Sequence, residues 1–286
     1  MLVHLCGVRG SIPSPGLEFA GVGGNTSCVA IAHDGEHPSL VLDAGTGLRN
    51  LSRLFDGEAF HGTIVLGHLH WDHVIGLPFF SAGDRPDAEV QVLLPEQGID
   101  PVDILSRLMA PPLFPITVAD LRGTWHVGSY DEGVSTIEGF QVLARDIPHT
   151  AGRTMGLRVS DGHSAIAYLS DHSPHDLGPG ADGLGVLHEA AVELVSGVDV
   201  LIHDAQYTSH ELLTRRSWGH TAAQYCVTLA EHCGVKRVVL FHHDPWRTDE
   251  QVVAMRDAVA LTTTVQVDAA IEGTVIQLSP RTVAHQ

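Results

Sequence analysis

Short apolar runs separated by turn residues fill the chain, and their period alternates between that of strands and that of helices. Residues 2–8 alternate loosely and read as a first strand, followed by a turn-rich loop from Gly10 to Gly16. A second tight loop, Gly21 to Thr26, leads into a strand from Ser27 to Ala32, and Leu40–Leu42 forms a third. A helix is expected over Leu48–Phe55, then a buried strand over Thr63–Gly67. Asp72 opens a further helix or turn that Pro78 stops. Glu89–Leu94 reads as a strand, and the spacing of Val102, Leu105 and Leu108 predicts a helix over Pro101–Met109. Ala110–Pro115 is rigid, apolar and non-helical, and serves as a wall of either the core or a substrate site. Strands are expected at Gly139–Ile147, Met155–Ser160 and Ser164–Leu169. After a helix over Leu184–Val195 come a strand over Val198–Ile202 and a helix over Thr221–Cys233. A strand over Arg237–Phe241, a helix over Thr248–Val259 and a closing strand over Ala270–Leu278 complete the pattern, with the last residues frayed.

This order predicts an α/β protein, and with no low-complexity linker it reads as one domain over residues 1–286. Metal-type side chains recur at the ends of the expected strands: Asp43, His68, His149, Asp171, His203 and His242. Strand ends along one sheet edge lie near each other in layered α/β folds, so these positions point to a shared site.

Charge narrows the function classes. The formal net charge is -18, with 16 Lys and Arg residues in total. Lys236 is the sole lysine. No basic face is visible, so no large nucleic-acid footprint is expected. A small anionic substrate remains compatible, because bound divalent ions reverse the local charge. The four cysteines, Cys6, Cys28, Cys226 and Cys233, are scattered without a paired motif and read as buried thiols in a reducing compartment. The first residues lack a basic segment followed by a long apolar run, and no apolar run reaches about 18 residues. The expectation is a cytoplasmic protein without a membrane span.

The densest chemistry is His68-Leu69-His70-Trp71-Asp72-His73, directly after the Thr63–Gly67 run. Imidazole and carboxylate suit zinc, iron and manganese. His68 and His70 alternate, so on an extended segment they point the same way. Asp72 and His73 are adjacent, so one can serve a second ion once the chain turns.

The residues resemble the metallo-β-lactamase superfamily over nearly the whole chain. The markers stand in that family's order: Asp43 in Leu42-Asp43-Ala44-Gly45-Thr46-Gly47, the His68–His73 cluster, His149 after Ile147-Pro148, Asp171 in Leu169-Ser170-Asp171, and His242 after Leu240-Phe241. Within the superfamily the chain is similar to the phosphodiesterase branch that includes ribonuclease Z. Trp218-Gly219-His220-Thr221-Ala222-Ala223-Gln224 carries that likeness, and Leu201-Ile202-His203-Asp204-Ala205 resembles the branch's His-Glu-Ala segment with Asp for Glu.

The resemblance implies a four-layer αββα sandwich with metals at one sheet edge. It implies that His68, His70 and His149 hold one divalent ion, that Asp72, His73 and His242 hold a second, and that Asp171 bridges them. Zinc is the expected metal, with manganese and iron also suited to these donors. Two such ions about 3.5–4 Å apart activate a bridging hydroxide and clamp an in-line displacement. Their charge, less that of two carboxylates and the hydroxide, leaves a positive site suited to a phosphodiester anion. His220 is then the general acid for the leaving alkoxide, at a helix start whose N–H groups face the phosphate. Asp72 doubles as proton acceptor for the attacking water. Asp43, His203 and Asp204 support the ligands from behind. The implied function is hydrolysis of a small or cyclic nucleotide-type phosphodiester. Lactone, thioester or β-lactam hydrolysis by the same metal pair is the alternative. Endonucleolytic trimming of tRNA 3′ ends is disfavoured by the acidic charge and by the lack of a basic, glycine-rich gripping arm. Homodimers are the family-level expectation.

Overall fold

The apolar runs become strands, and chain order sorts them into two sheets. The structure, a computed structural model, describes residues 1–278. In the first half of the chain lie β1 (Leu2–Gly7), β2 (Cys28–Ala32), β3 (Leu40–Leu42), β4 (His61–Val65), β5 (Glu89–Pro95) and β6 (Thr124–Tyr130). In the second half lie β7 (Gly133–Ile137), β8 (Phe140–Asp146), β9 (Met155–Ser160), β10 (Ala165–Leu169), β11 (Val200–Asp204), β12 (Arg237–Phe241) and β13 (Gln266–Ala269). The last strand, β14 (Val275–Gln277), returns to the first sheet and pairs antiparallel with β1. The sheets run β14-β1-β2-β3-β4-β5-β6 and β13-β12-β11-β10-β9-β8-β7. β3 to β6 are parallel to one another, as are β10 to β13, while the other pairings are antiparallel.

Helices cover the outer faces: α1 (Leu48–Leu51), α2 (Trp71–Val74), α3 (Pro101–Leu108), α4 (Glu189–Val195), α5 (Ser209–Arg215), α6 (Ala223–Cys233) and α7 (Asp249–Ala260). Three apolar layers result. Val3, Ile31, Leu42, Leu157, Tyr168 and Phe241 meet between the sheets. Leu48, Phe60, Ile64 and Leu94 pack under the helices of the first sheet, and Leu169, Leu201, Tyr225 and Leu240 under those of the second. This is the αββα sandwich expected from the sequence. β2 and β10 are buried at every residue, which explains their unbroken apolar composition, and β11 is equally buried although it ends in His203 and Asp204.

Several boundaries differ from the sequence reading. β6 and β7 were not anticipated, because both are half-exposed strands without clean apolar alternation; pairing holds β6 along β5 from Glu89↔Thr124 to Pro95↔Tyr130. α5 was also missed, although Thr208 and Glu211 form a reciprocal capping box that its sequence displays. The helix expected from Leu184 begins only at Glu189. The closing strand expected over Ala270–Leu278 is a turn followed by β14, and the frayed end lies outside the described residues. No helix among the described residues is long and apolar enough to cross a membrane.

Fully buried Arg9 ties the loop after β1 to the segment after β12. Its guanidinium donates to the carbonyls of Gly23 (2.8 Å), Arg247 (2.6 Å) and Asp244 (3.3 Å) and faces Asp249 at 3.4 Å.

Candidate metal centre

Loops at the C-terminal ends of the parallel strands of both sheets converge on one edge. Asp43 follows β3, and the His68–His73 segment follows β4. Asp171 follows β10, Asp204 ends β11, and His242 follows β12, while His149 lies between β8 and β9. His68 to His70 is extended, and the turn into α2 begins at Trp71 with His70 as its N-cap. The histidines of the extended stretch and the pair Asp72–His73 therefore serve different sides, as the spacing suggested.

The ligand atoms of His68, His70, His149 and Asp171 lie within 4.8 Å of one another, as do those of Asp72, His73 and His242. Asp171 faces both groups. Its Oδ1 is 3.7 Å from His68 Nε2 and 3.6 Å from His149 Nε2. Its Oδ2 is 3.0 Å from His73 Nε2 and 3.4 Å from His242 Nε2. In the second group Asp72 Oδ2 lies 3.2 Å from His73 Nε2 and 3.1 Å from His242 Nε2.

The donors fit a divalent cation. A tetrahedral ion with ligands about 2.0–2.1 Å away spaces those ligands roughly 3.3 Å apart. The separations in the second group match that edge, and so does the 3.2 Å between His70 Nδ1 and His149 Nε2. Both nitrogens of buried His68, together with His73 Nε2 and Asp171 Oδ2, lack a hydrogen-bond partner, although unpaired buried polar atoms are costly. Burial and the neighbouring His73 hold His68 well below the usual imidazole range, and burial lowers His149 to about 4, so both favour the neutral, ligating form. Burial alone would lower His73 too, but Asp171, Asp72 and Asp43 push it well above its ordinary value: this side of the cluster draws positive charge. Burial opposes ionisation of Asp72, and His73 and His242 overcome it, holding the carboxyl well below its usual range.

The supporting residues act in distinct ways. Fully buried Asp43 accepts from Gly67 N (2.7 Å), His73 Nδ1 (2.8 Å) and the Tyr168 hydroxyl (2.7 Å). It thereby orients His73 with Nε2 toward the cluster. Asp43 and His242 both adopt left-handed backbone, at φ 61° and 55°, which aims their side chains inward from strand ends. Asp43→Asn is expected to weaken metal binding by about 10–100-fold, read by competition with a chromophoric chelator. Ser11 N donates to Asp72 Oδ2 at 2.7 Å. Gly10 is required beside it, because a Cβ there would collide with the His242 ring.

Asp204 supports His220 rather than a member of the two groups: Oδ2 faces His220 Nδ1 at 2.9 Å. Burial pushes the Asp204 carboxyl well above its ordinary pKa, against the pull of His242 and of the backbone N–H groups of Gln206 and His172. His220 also lies 3.6 Å from Asp171 Oδ1 through the same nitrogen. One expectation for His220 fails. The helix begins at Ala223, not beside His220, and the Ala223 N–H is already bonded to the Tyr207 carbonyl. The first N–H of that helix is therefore already taken, and His220 stands outside its first turn.

His203 stands further back than expected. Its Nδ1 donates to the Asp204 carbonyl (2.8 Å), so its Nε2 accepts from His172 Nδ1 (2.9 Å), and His172 Nε2 accepts from His188 Nε2 (2.8 Å). This ordered chain of imidazoles touches none of the seven clustered donors through its side chains. His172, His188 and His203 are well separated in the chain, and only three-dimensional proximity joins them. His243, the neighbour that competed with His242 in the sequence, turns its ring to the Ala270 carbonyl at 3.0 Å.

A pocket of about 400 Å³ opens over the cluster, lined by Ser11, His70, Trp71, Asp72, Asp171 and His220. Expected donors and proton-transfer residues thus share one solvent-accessible space.

Residues 39–243 match the beta-lactamase superfamily domain. An uncharacterized protein of Mycobacterium tuberculosis is 26% identical over 226 residues, covering 76% of this chain and 74% of that protein. Ribonuclease Z of Bradyrhizobium sp. (strain ORS 278) is 25% identical over 284 residues, covering 80% and 91%. Among solved structures, the metallo-beta-lactamase fold protein YhfI from Bacillus subtilis superposes with a TM-score of 0.71 at 15% identity, covering 96% of this chain and 99% of that one. A diphosphatase from the PhnP family gives 0.67 at 15% identity, covering 98% of each chain.

Proposed function

The chain belongs to the metallo-β-lactamase superfamily, and from that premise we propose a metal-dependent phosphodiesterase that acts on a small or cyclic nucleotide-type phosphodiester. The observation that carries the proposal is His220 on the wall of the pocket that also holds Asp72 and Asp171, backed at 2.9 Å by fully buried Asp204. Hydrolysis of a phosphodiester expels an alkoxide that needs a proton. Asp204 Oδ2 accepts a hydrogen bond from His220 Nδ1–H, which leaves Nε2 as the nitrogen that delivers a proton. Burial lowers the His220 pKa below the ordinary imidazole value, with the charges of Asp171 and Asp72 only partly opposing it, so a proton carried there is readily given up.

His68, His70, His149, Asp72, His73 and His242 would hold two divalent ions with Asp171 between them. When bound, such ions supply an acidified water and positive charge for a phosphate. Asp72 lies open to the same pocket and is suited to accept the proton of the attacking water. His73 is kept in register by Asp43, and His149 by the Gly219 carbonyl at 2.6 Å from its Nδ1. Gly219, at φ 87°, allows that approach, because a Cβ there would strike the His149 ring.

Two relatives bear on substrate size. The likeness to ribonuclease Z supports a tRNA substrate, and the fold shared with a diphosphatase is compatible with a small one. Charge favours the small substrate. The net charge is -18, and Arg9, Arg122, Arg145, Arg153, Arg215, Arg237 and Arg247 already face carboxylates. Few cations remain to grip a long polyanion.

The test joins metal analysis of the purified protein to a substrate panel. The expected result is bound divalent metal with turnover of bis(p-nitrophenyl) phosphate and cyclic nucleotides, lost on chelation and restored by zinc or manganese. Lactone or nitrocefin turnover without phosphodiester cleavage sinks the proposal. Selective cleavage of precursor tRNA replaces it with the ribonuclease reading.

A further inference from the structure

Trp71 stands between His70 and Asp72, yet its indole is 73% exposed and forms no ring contact or hydrogen bond among the described residues. Trp71 is part of a contiguous exposed apolar patch rather than a single exposed side chain, and such patches mark binding surfaces. Trp71 and Leu69 line the pocket over the metal cluster and also one wall of a second groove of about 610 Å³. Phe79, Leu113 and Phe114 form other parts of that groove, with Phe79 57% and Leu113 79% exposed. Phe79 and Phe114 meet edge to face at 5.9 Å. No carboxylate lines the groove, and its one charged residue is Arg107, which is exposed and has no ion pair among the described residues.

We propose that Trp71 and this groove form the subsite for the aromatic base of a nucleotide-type substrate, with the base stacked on the indole and Arg107 near its polar edge. The inference rests on the phosphodiesterase reading and names which part of the substrate lies where. Three features select a base over an alkyl chain or a protein partner. Trp71, Phe79 and Phe114 set aromatic rings into an otherwise largely aliphatic lining, and every nucleobase offers a flat face to stack on such a ring. A guanidinium in an otherwise apolar groove offers donors to base nitrogens and oxygens, which an alkyl chain lacks. A protein seated over Trp71 would also cover the pocket that holds Asp72 and His220, whereas a substrate in that pocket has the groove directly beyond the shared wall of Leu69 and Trp71.

Adenosine, which has no phosphate to be hydrolysed, is the probe, and equilibrium dialysis against the full-length metal-loaded protein is the measurement. Adenosine is expected to bind, and Trp71→Ala to weaken it about ten-fold or more. Trp71→Phe should retain most of the affinity, and Trp246→Phe, at an exposed position outside the groove, all of it. Because Trp71 is exposed, its replacement is not expected to unfold the protein, and far-ultraviolet circular dichroism checks this. Absent adenosine binding, equal affinity in wild type and Trp71→Ala, or displacement of adenosine by decanoate but not by adenosine monophosphate, overturns the subsite. Bis(p-nitrophenyl) phosphate carries no base, so its turnover reports on the phosphodiesterase reading separately. Turnover without adenosine binding removes the subsite alone.

Discussion

Asp171→Ala is expected to lower phosphodiester turnover by roughly a thousand-fold, equivalent to about 4 kcal/mol of transition-state stabilisation. Among the described residues, Asp171 is the one side chain whose two oxygens face the two donor groups separately. Alanine removes a donor from each group at once. It also removes the leading charge that holds His73 above its usual pKa, so the buried imidazoles lose their anionic counterpart. Metal stoichiometry read by plasma emission should fall together with turnover. A variant that keeps both ions and full turnover would falsify the bridging role. Asp171→Asn separates charge from shape: if position alone matters, the amide restores much of the loss, and if the charge matters, it does not.

The second large effect concerns His220. His220→Ala should cost about 10²–10⁴-fold on substrates that expel an alkoxide, the range ascribed to a positioned proton donor. On bis(p-nitrophenyl) phosphate, whose leaving group departs without a proton, the loss should be far smaller. Steady-state rates on both substrates give the ratio that matters. Equal losses on the two would assign His220 to the metal cluster, a placement its proximity to Asp171 and His242 makes chemically reasonable. Metal content then decides the matter, because a proton donor can be removed without loss of an ion.

The donors differ in how far the chain alone reveals them. The run from His68 to His73 is local, and its alternation already separates His68 and His70 from the adjacent pair, as the turn at Trp71 bears out. His149, Asp171 and His242 are far apart in sequence; their places at strand ends mark them as candidates, and only the family resemblance assigns them to particular ions. His242 and His243 are adjacent in the chain, and the structure separates them: His242 Nε2 faces Asp72 and Asp171, whereas the His243 ring turns to the Ala270 carbonyl. The imidazole chain His188–His172–His203 left no sequence signal, because its hydrogen bonds join a loop, a strand end and a helix start. The same holds for the groove beside Trp71, whose walls come from α2 and from the 101–115 segment. There the sequence left open whether Ala110–Pro115 lines the core or a substrate site, and Leu113 and Phe114 now stand at the groove. Strands were read well where burial on both faces imposed apolar runs. They were missed at β6 and β7, where pairing rather than burial supplies the stabilisation.

The division of donors between the sheets has a consequence for the molecule as a unit. The segment after β4 contributes His68 and His70 to one group and Asp72 and His73 to the other. The second half of the chain completes each with a single histidine, His149 or His242, and inserts Asp171 between them. Neither half-molecule contains a finished ion site, despite the near-mirrored strand order of the two sheets. Separated fragments would each be inert, and chemistry would return only on their reassociation. The reaction centre is thus a reporter of docking between the halves, assembled across the seam and owned by neither side.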